Sequence, residues 1–372
     1  MKLAVSAEQR DLRDSVRRFL ADRAPLSRVR ELMETPDGTD RQVWQQAGAQ
    51  LGLPGIAIPE CYGGAGFTFA EQAIVLEEQG AALYGGPYLA SAVLAATALL
   101  SASDEVARRE LLPGIASGQT VATLAFTEDD GSWEPEAIRL AARRDGSGGW
   151  RLDGHKSFVL DGHAADLILV VAAAGDGLSL FAVDPAAAGL GRRVLPTLDQ
   201  TRKLARLEFD SVAGRLIGPP GQAAGVLART LDVAAIALAA EQLGGAQRAL
   251  DMAVGYAKIR YQFGRPIGSF QAIKHRCADL LLEVESLRSA VGYAAAVVAE
   301  DSAEVPVVAA LAQAYASDVY FHVAAENIQI HGGIGFTWEH DAHLYFKRAK
   351  SSELFLGDAA YHREHLAQRI GL

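Results

Sequence analysis

The chain has 372 residues, half of them hydrophobic, and a formal net charge of −10. A chain of this length can bury a sizeable core and is expected to divide into two or three domains. Its acidic balance argues against nucleic acid as a partner, because a phosphate backbone is bound by clustered lysine and arginine side chains.

The cysteines and the apolar runs indicate the cellular setting. Cys61 and Cys277 are the only cysteines, too few for a disulfide framework or a zinc site, so we expect no metal centre and a reducing, cytoplasmic location. Charged residues interrupt the first 22 positions, which therefore lack the apolar core of a secretory signal. Apolar runs elsewhere fall short of the roughly 18 to 20 uncharged residues of a membrane span, so no span is expected.

Helical periodicity dominates the first third of the chain. Leu12, Val16 and Phe19 recur at helical spacing, and the stretches 40–51 and 69–80 repeat the pattern. The Gly- and Pro-rich stretch between those two runs indicates a loop. We therefore expect an N-terminal α-helical domain over residues 1–120.

Strand signals replace this pattern over residues 121–220. Short runs of Val, Leu, Ile and Phe are bounded by Gly and Asp. The turn clusters at 145–149 and at Asp153-Gly154 predict hairpins, and hence an antiparallel β-barrel or sandwich. The stretch has no glycine-rich phosphate loop that opens a helix, which disfavours nicotinamide and nucleotide-triphosphate enzymes.

Long helical runs return after Gly218-Pro-Pro-Gly221 and fill residues 221–372. Their length and short breaks predict an antiparallel four-helix bundle. The whole chain is thus expected to be an α+β protein with a helical domain, a β domain and a helical bundle, in that order. The predicted bundle helices cover residues 226–260, 271–300, 306–331 and 341–355.

Two parts of the bundle carry a family resemblance. The run 256–272, and the segments 329–336 and 343–350, resemble the two C-terminal signatures of the acyl-CoA dehydrogenases. The domain order matches as well, so the resemblance covers essentially the whole chain. It implies an FAD flavoprotein that desaturates an acyl-CoA thioester between its α and β carbons, in fatty-acid or steroid side-chain β-oxidation. Electron-transferring flavoprotein is the electron acceptor that the resemblance implies.

The first signature implies one side of an FAD site. The resemblance assigns Arg260 to the pyrophosphate, which an always-charged guanidinium fork suits. It assigns Phe263 and Gln271 to the adenosine part, as an apolar wall and an amide donor. The alternatives are an arginine that satisfies carbonyls at a helix C-terminus, and two residues that serve only packing.

The second signature implies a contribution from a neighbouring subunit. By the resemblance, Gln329, Gly332 and Gly333 approach the adenine end of an FAD shared between chains, and glycine permits such an approach because it has no Cβ. The alternative is a Gly-Gly pair that ends a helix. A shared FAD implies an oligomer, either a homotetramer or an α2β2 heterotetramer with a homologous subunit.

The flavin-ring side of the site departs further from the family pattern. The resemblance assigns Thr127 and Ser132 to the polar edge of the ring, and Phe158 to the aromatic wall along it. Leu160 stands where the family has a hydroxyl donor, and leucine cannot donate a hydrogen bond.

The catalytic base is the largest departure. The family's reaction needs a desolvated carboxylate that removes the α-proton. Leu356 occupies the usual position of this base, and Ala234 occupies a second position used by some members. Glu241 lies seven residues after Ala234, on the same apolar helix face, and is the candidate base. Pairing with a residue of another helix is the alternative for Glu241, and a helix N-cap is the simpler reading of Asp358.

Three hypotheses follow from this pattern. The chain is an active dehydrogenase that uses Glu241 or another displaced carboxylate. Alternatively, it is a catalytically silent subunit that contributes half of an FAD pocket while a related chain supplies the base. The third hypothesis is a flavin oxidase or monooxygenase on the same scaffold, in which oxygen reoxidises the cofactor.

Overall fold

The structure is a computed structural model that describes residues 6–146 and 148–372. Helices come first, strands follow and helices return, as the sequence predicts. The first helices are α1 (Ala7–Arg23), α2 (Leu26–Met33), α3 (Arg41–Leu51), α4 (Phe69–Ala81), α5 (Ala96–Ser101) and α6 (Glu105–Ala116). The strands are β1 (Ala122–Ala125), β2 (Ala141–Arg144), β3 (Trp150–Leu160), β4 (Leu167–Ala174), β5 (Gly177–Val183), β6 (Leu190–Leu195) and β7 (Leu204–Ile217). The later elements are α7 (Ala223–Ile259), β8 (Tyr261–Gln262), β9 (Arg265–Pro266), α8 (Gln271–Ala299), α9 (Val305–His331), α10 (Ala342–Leu354) and α11 (Ala359–Arg369).

Local sequence sets the ends of the first helices. Ser6 begins α1 with a capping box, in which its hydroxyl accepts from the Gln9 N–H and the Gln9 side chain accepts from the Ser6 N–H. Asp40 caps α3 through its carboxylate, and Gly52 ends that helix in the left-handed conformation. The predicted helices in this part of the chain are therefore confirmed to within a residue or two.

The chain forms two compact units. One unit contains the chain up to residue 30, residues 69–84 and residues 235–372, and the other contains residues 31–68 and 85–234. The division falls inside α7, between Ala234 and Ala235. These units group segments that are distant in sequence, so the domain boundaries expected at residues 120 and 220 stay a prediction.

The second unit contains the β domain. Strands β4, β2, β3, β7 and β5 pair in that order, and β5 returns to β4, so the sheet closes into a barrel. Most pairings are antiparallel, but β4 runs parallel to β1 and to β2. The barrel's inward side chains include Leu152, Val170, Phe181 and Leu207, which are fully or almost fully buried.

One of the two predicted hairpin turns is wrong. The cluster at 145–149 joins β2 to β3 as expected, with Arg144 opposite Trp150, although Ser147 lies outside the described residues. The Asp153-Gly154 pair lies inside β3 instead, where the register against β7 shifts by one residue. The extra residue of this β-bulge lies on β7, where Ser211 has a positive φ, so Gly154 with φ +133° belongs to a strand opposite a bulge and not to a turn.

Helices α4 and α7 approach each other closely within the first unit. A Cβ at Gly80 would overlap the backbone carbonyl of Glu241, and a Cβ at Gly244 would overlap that of Glu77. Two helix backbones reach this distance only where no side chain intervenes. The close approach fixes the position of Glu241 along the axis of the bundle.

Helix α7 is long and apolar enough to cross a membrane. Its most apolar 18-residue window has a mean hydropathy of 1.6, and 67% of that window is buried in the structure. The core helix of a globular protein has the same length and composition, so this is weak evidence for a span.

We expect Gly244→Ala to destabilise the protein, although alanine is the better helix former. Alanine gains roughly 1 kcal/mol of helix propensity, but the added methyl forces α4 and α7 apart, and overpacking costs about 1–3 kcal/mol. Equilibrium unfolding in urea measures the difference, which should be a net loss of about 1 kcal/mol or more.

Gly255→Ala is the matched control in the same helix. A Cβ at Gly255 meets nothing within 4 Å, so this variant should gain about 0.5–1 kcal/mol. Equal stabilisation by both substitutions would contradict the close contact between α4 and α7.

Candidate functional site

The first signature forms a hairpin that projects from the end of α7. The backbone N–H of Arg260 donates to the Tyr256 carbonyl at 2.9 Å, which closes the last helical turn. Strands β8 and β9 follow, and Phe263 and Gly264 form the tip, both with positive φ. A positive φ is rare for an aromatic residue. Phe263 is 91% exposed, so the hairpin presents its ring to the outside of the chain.

Arg260 lies at the base of this hairpin with its side chain exposed. Among residues 6–146 and 148–372, the structure records no ion pair or hydrogen bond of its guanidinium. Gln271 is the first residue of α8 and is also exposed. The hairpin and the start of α8 thus expose a charge, an aromatic ring and an amide, and all three suit an adenine dinucleotide.

The second signature ends α9. Gln329 is exposed in the last turn, and Gly332 caps the helix with φ +66° and ψ −146°. Only glycine adopts this backbone conformation readily, so the helix-ending role holds for Gly332. Gly333 has no such backbone requirement, and a Cβ there would meet nothing within 4 Å. Its bare backbone leaves room for a ligand.

Large apolar side chains surround these signature residues without being buried. Exposed apolar surface of this kind commonly marks a site of interaction with another protein or a ligand. Tyr261 is 61% exposed and Phe336 is 76% exposed. Ile259, Leu282 and Ile334 are also exposed.

The flavin-ring candidates lie in the second unit. The Thr127 hydroxyl donates to the Ser157 carbonyl at 2.7 Å, so its proton is used inside the fold. Ser132 accepts from the Glu134 N–H through its hydroxyl oxygen. Phe158 is partly exposed with φ +58°, whereas Leu160 is buried. The residues present therefore fit the adenine end of FAD better than the polar edge of its ring.

A buried lysine that the sequence analysis missed orders the Thr127 segment. Lys156 Nζ donates to the Phe126 carbonyl and to the Glu128 carboxylate, each at 2.9 Å. Burial lowers the pKa of Lys156 to about 8. Burial opposes ionisation of Glu128 as well, but Lys156 and the Leu140 N–H outweigh it and lower the pKa of that carboxyl. The spacing between Glu128 and Lys156 gives no signal of their contact.

Glu241 is half of a buried ion pair. Its Oε1 atom lies 2.8 Å from Arg348 Nη1, and the two side chains are 9% and 2% exposed. Arg348 lies on α10, so the pair joins that helix to α7. This geometry supports the alternative that Glu241 pairs with a residue of another helix. A catalytic role for Glu241 stays a prediction.

Leu356, which the family resemblance places at the usual position of the base, carries no carboxylate. Leu356 is buried and has φ +65°. Asp358 is the N-cap of α11, and its carboxylate accepts from the Tyr361 N–H at 2.8 Å. His362 Nε2 donates to the Leu356 carbonyl at 3.0 Å. Burial lowers the pKa of His362 from 6.5 to about 4.

The buried neutral His362 predicts a loss of stability in mild acid. The unfolded chain binds this proton at a higher pH than the folded chain, so stability is lost as the pH falls from 6.5 towards about 4. The loss should reach roughly 3 kcal/mol. Urea unfolding across this pH window measures it.

His362→Gln is the comparison variant, because an amide can still donate to the Leu356 carbonyl but does not titrate. Its stability should depend less on pH in the same window than that of the unsubstituted chain. Identical pH slopes for the two proteins would show that His362 is not held neutral.

Models of the acyl-CoA dehydrogenase domains match almost all of the chain. The N-terminal domain matches residues 6–119, the middle domain residues 123–212 and the C-terminal domain residues 224–371. Each matched range contains the kind of element expected there, since helices, strands and helices follow in turn.

Individual proteins show the same likeness over their full length. The acyl-CoA dehydrogenase IpdE2 of Mycolicibacterium smegmatis is 39% identical over 95% of this chain and 96% of that protein. The steroid acyl-CoA dehydrogenase Tcur3481-Tcur3483, in a variant form, has a TM-score of 0.88 at 34% identity, with 99% of each chain covered. The ChsE4-ChsE5 complex from Mycobacterium tuberculosis has a TM-score of 0.90 at 30% identity, covering 100% of this chain and 99% of that one. This chain therefore belongs to the acyl-CoA dehydrogenase family of FAD-dependent oxidoreductases, with N-terminal helices, a middle β domain and a C-terminal helical domain.

Proposed function

We propose that the chain is one subunit of a heteromeric acyl-CoA dehydrogenase, in which a homologous partner chain supplies the catalytic base. The observation that carries this proposal is the engagement of Glu241 by Arg348. With Leu356 and Ala234 at the two base positions, Glu241 is the candidate base that the sequence suggests, and it is buried.

A glutamate that is held in this buried ion pair is poorly suited to act as a catalytic base. A base must accept a proton, and a protonated Glu241 would leave the Arg348 guanidinium buried beside a neutral group. Leaving one partner of a buried pair without compensation costs about 3–5 kcal/mol.

The contribution of this chain is to hold one end of the cofactor. Arg260 would bind the pyrophosphate, while Phe263 and Gln271 would line the adenosine. Gln329 and Gly333 would approach the adenine of an FAD that a neighbouring subunit also contacts. When bound, FAD accepts the β-hydrogen of the acyl-CoA as hydride.

The substrate class that we propose is a bulky acyl-CoA thioester of the steroid side-chain type. The support comes from the likeness to a steroid acyl-CoA dehydrogenase and to a complex of two different chains. Electron-transferring flavoprotein is the proposed electron acceptor, as in the family that the chain resembles.

A self-sufficient dehydrogenase is the second candidate. It is favoured by the place of Glu241 on an otherwise small and apolar face of α7, where Leu238 and Gly245 flank it. In this reading Arg348 releases the carboxylate when substrate binds. The two candidates differ in whether the isolated chain can reduce flavin.

The visible spectrum tests the proposal directly. We expect the chain purified alone to be poorly flavinylated, and the chain co-expressed with a homologous partner to show a flavin band. That band should bleach when acyl-CoA thioesters with linear, branched and steroid side chains are added anaerobically, with the steroid thioesters the most effective.

Three outcomes would speak against the heteromer. A flavin band that bleaches in the isolated chain would favour the self-sufficient dehydrogenase. Bleaching followed by rapid return of colour in air, with peroxide, would indicate an oxidase. A partner whose own base can be replaced by an amide without loss of bleaching would also overturn the assignment.

Glu241→Gln separates structure from catalysis in the same assembly. We expect it to lower the free energy of unfolding by about 3 kcal/mol, because Arg348 loses its counter-charge. Flavin bleaching by the folded complex should persist. Thermal unfolding and anaerobic bleaching, measured on one preparation, give both quantities.

Glu364→Gln is the matched control. Glu364 is exposed on α11, and within the described residues its side chain accepts a hydrogen bond from Gln368 alone. It should change neither quantity. Complete loss of bleaching in a stably folded Glu241→Gln complex would assign the base to Glu241 instead.

A further inference from the structure

A connecting segment, residues 332–341, joins α9 to α10 and is poorly covered by the rest of the chain. It begins as a 3-10 turn at Gly332–Phe336. Phe336 is 76% exposed and Trp338 is 51% exposed. Hydrophobic burial within the chain therefore does little to hold this segment in one conformation.

The guanidinium of Arg30, on α2, donates hydrogen bonds to three separate acceptors in the connecting segment. Its Nε donates to the Asp341 carboxylate at 2.8 Å, its Nη1 to the Trp338 carbonyl at 2.9 Å and its Nη2 to the His340 carbonyl at 3.0 Å. The guanidinium carbon also lies 6.0 Å from the centre of the Trp338 ring. A planar fork with several donors can fix three acceptors at once, which a lysine ammonium cannot do in the same geometry.

The opposite side of the segment is held by stacked rings. His331, at the end of α9, stacks on Tyr256 of α7 with ring centres 4.3 Å apart. The His340 ring lies 4.4 Å from that of His331. His331 Nδ1 donates to the Asn327 carbonyl at 2.8 Å. Arg30 thus completes a clamp whose other half is built on the helix that precedes the hairpin of Arg260.

The two sets of contacts lie on either side of Gly332 and Gly333 along the chain, and these are the glycines of the proposed adenine contact. Gly332 and Gly333 open the segment, and their approach to a ligand depends on where the segment's backbone lies. One end is set by α9, which ends at His331. The other end is set at Trp338, His340 and Asp341, where Arg30 supplies contacts from outside the bundle helices.

We propose that Arg30 is a positioning residue for the FAD of the assembly, acting through the connecting segment. It holds the segment so that the backbone of Gly332 and Gly333 faces the adenine end of the cofactor. This inference rests on the proposed FAD contacts of the second signature. It adds to them Arg30, which is 308 residues from Trp338 and 311 residues from Asp341 in the sequence.

The test compares Arg30→Gln with the unsubstituted chain in the assembly that binds FAD. FAD dissociation is followed by the rise of flavin fluorescence on dilution, and hydrogen exchange reports on residues 332–341. We expect FAD binding to weaken about tenfold or more, since charge-assisted hydrogen bonds to the segment are lost. Exchange should rise in the segment while α7 and α8 stay protected.

Two further variants keep the test decisive. Asp341→Asn removes one charged acceptor and leaves the two carbonyl contacts, so it should give a smaller effect of the same kind even if Arg30→Gln folds poorly. Arg18→Gln is the control for loss of a positive charge, because Arg18 is exposed on α1 and bonds only within its own helix in the recorded contacts of the described chain.

The outcomes separate this inference from the proposed function. FAD affinity within twofold of the unsubstituted value in both Arg30→Gln and Asp341→Asn would overturn the positioning role alone. An unsubstituted chain that takes up no FAD in any assembly would overturn the proposed function and this inference together. Weakened FAD binding with unchanged exchange in the segment would also overturn it, because the effect would not pass through the segment.

Discussion

The buried pair of Glu241 and Arg348 is the interaction on which the rest of the first unit depends. It joins α7 to α10 at a point where α4 and α7 are already in backbone contact through Gly80 and Gly244. A buried ion pair is costly to form, and removing one partner is more costly still. The geometry therefore supports the proposed structural role of Glu241. A base for α-proton removal has to come from a carboxylate that is free to change its charge.

The same constraint explains how the chain departs from its family. Leu356 keeps a left-handed backbone where the usual base would stand, and His362 holds its carbonyl in place. The turn at Leu356 thus has a defined shape but no carboxylate. In the second unit, Lys156 and Glu128 order the segment after β1 that contains Thr127, although Leu160 cannot donate to a flavin ring. A subunit that supports a cofactor held mainly by its partner would show this combination.

The sequence predicted what depends on local pattern. Helical periodicity predicted α1, α3, α4 and α7 to α10 but not α2, α5 or α6, and the turn cluster before Trp150 predicted a real hairpin. Asp153-Gly154 was misread because a glycine after an aspartate suits a turn and a strand opposite a β-bulge equally well. The partners of Glu241 and Arg30 lie 107 and about 300 residues away, and no periodicity reports on contacts at such a distance. Family resemblance located the signature residues but gave no view of their exposure.

The solvent exposure of the candidate FAD-binding residues determines how much of a cofactor site this chain can form alone. Arg260 and Phe263 are exposed on the hairpin, Gln271 is exposed at the start of α8, and Gly333 lies beside exposed apolar side chains. A cofactor held only by such a surface would be open to water on one side. A second chain that covers the apolar side chains would close that side and would meet the same FAD. In the proposed assembly, the guanidinium of Arg30 would order the connecting segment before a second chain buries it, and this would lower the entropy cost of association.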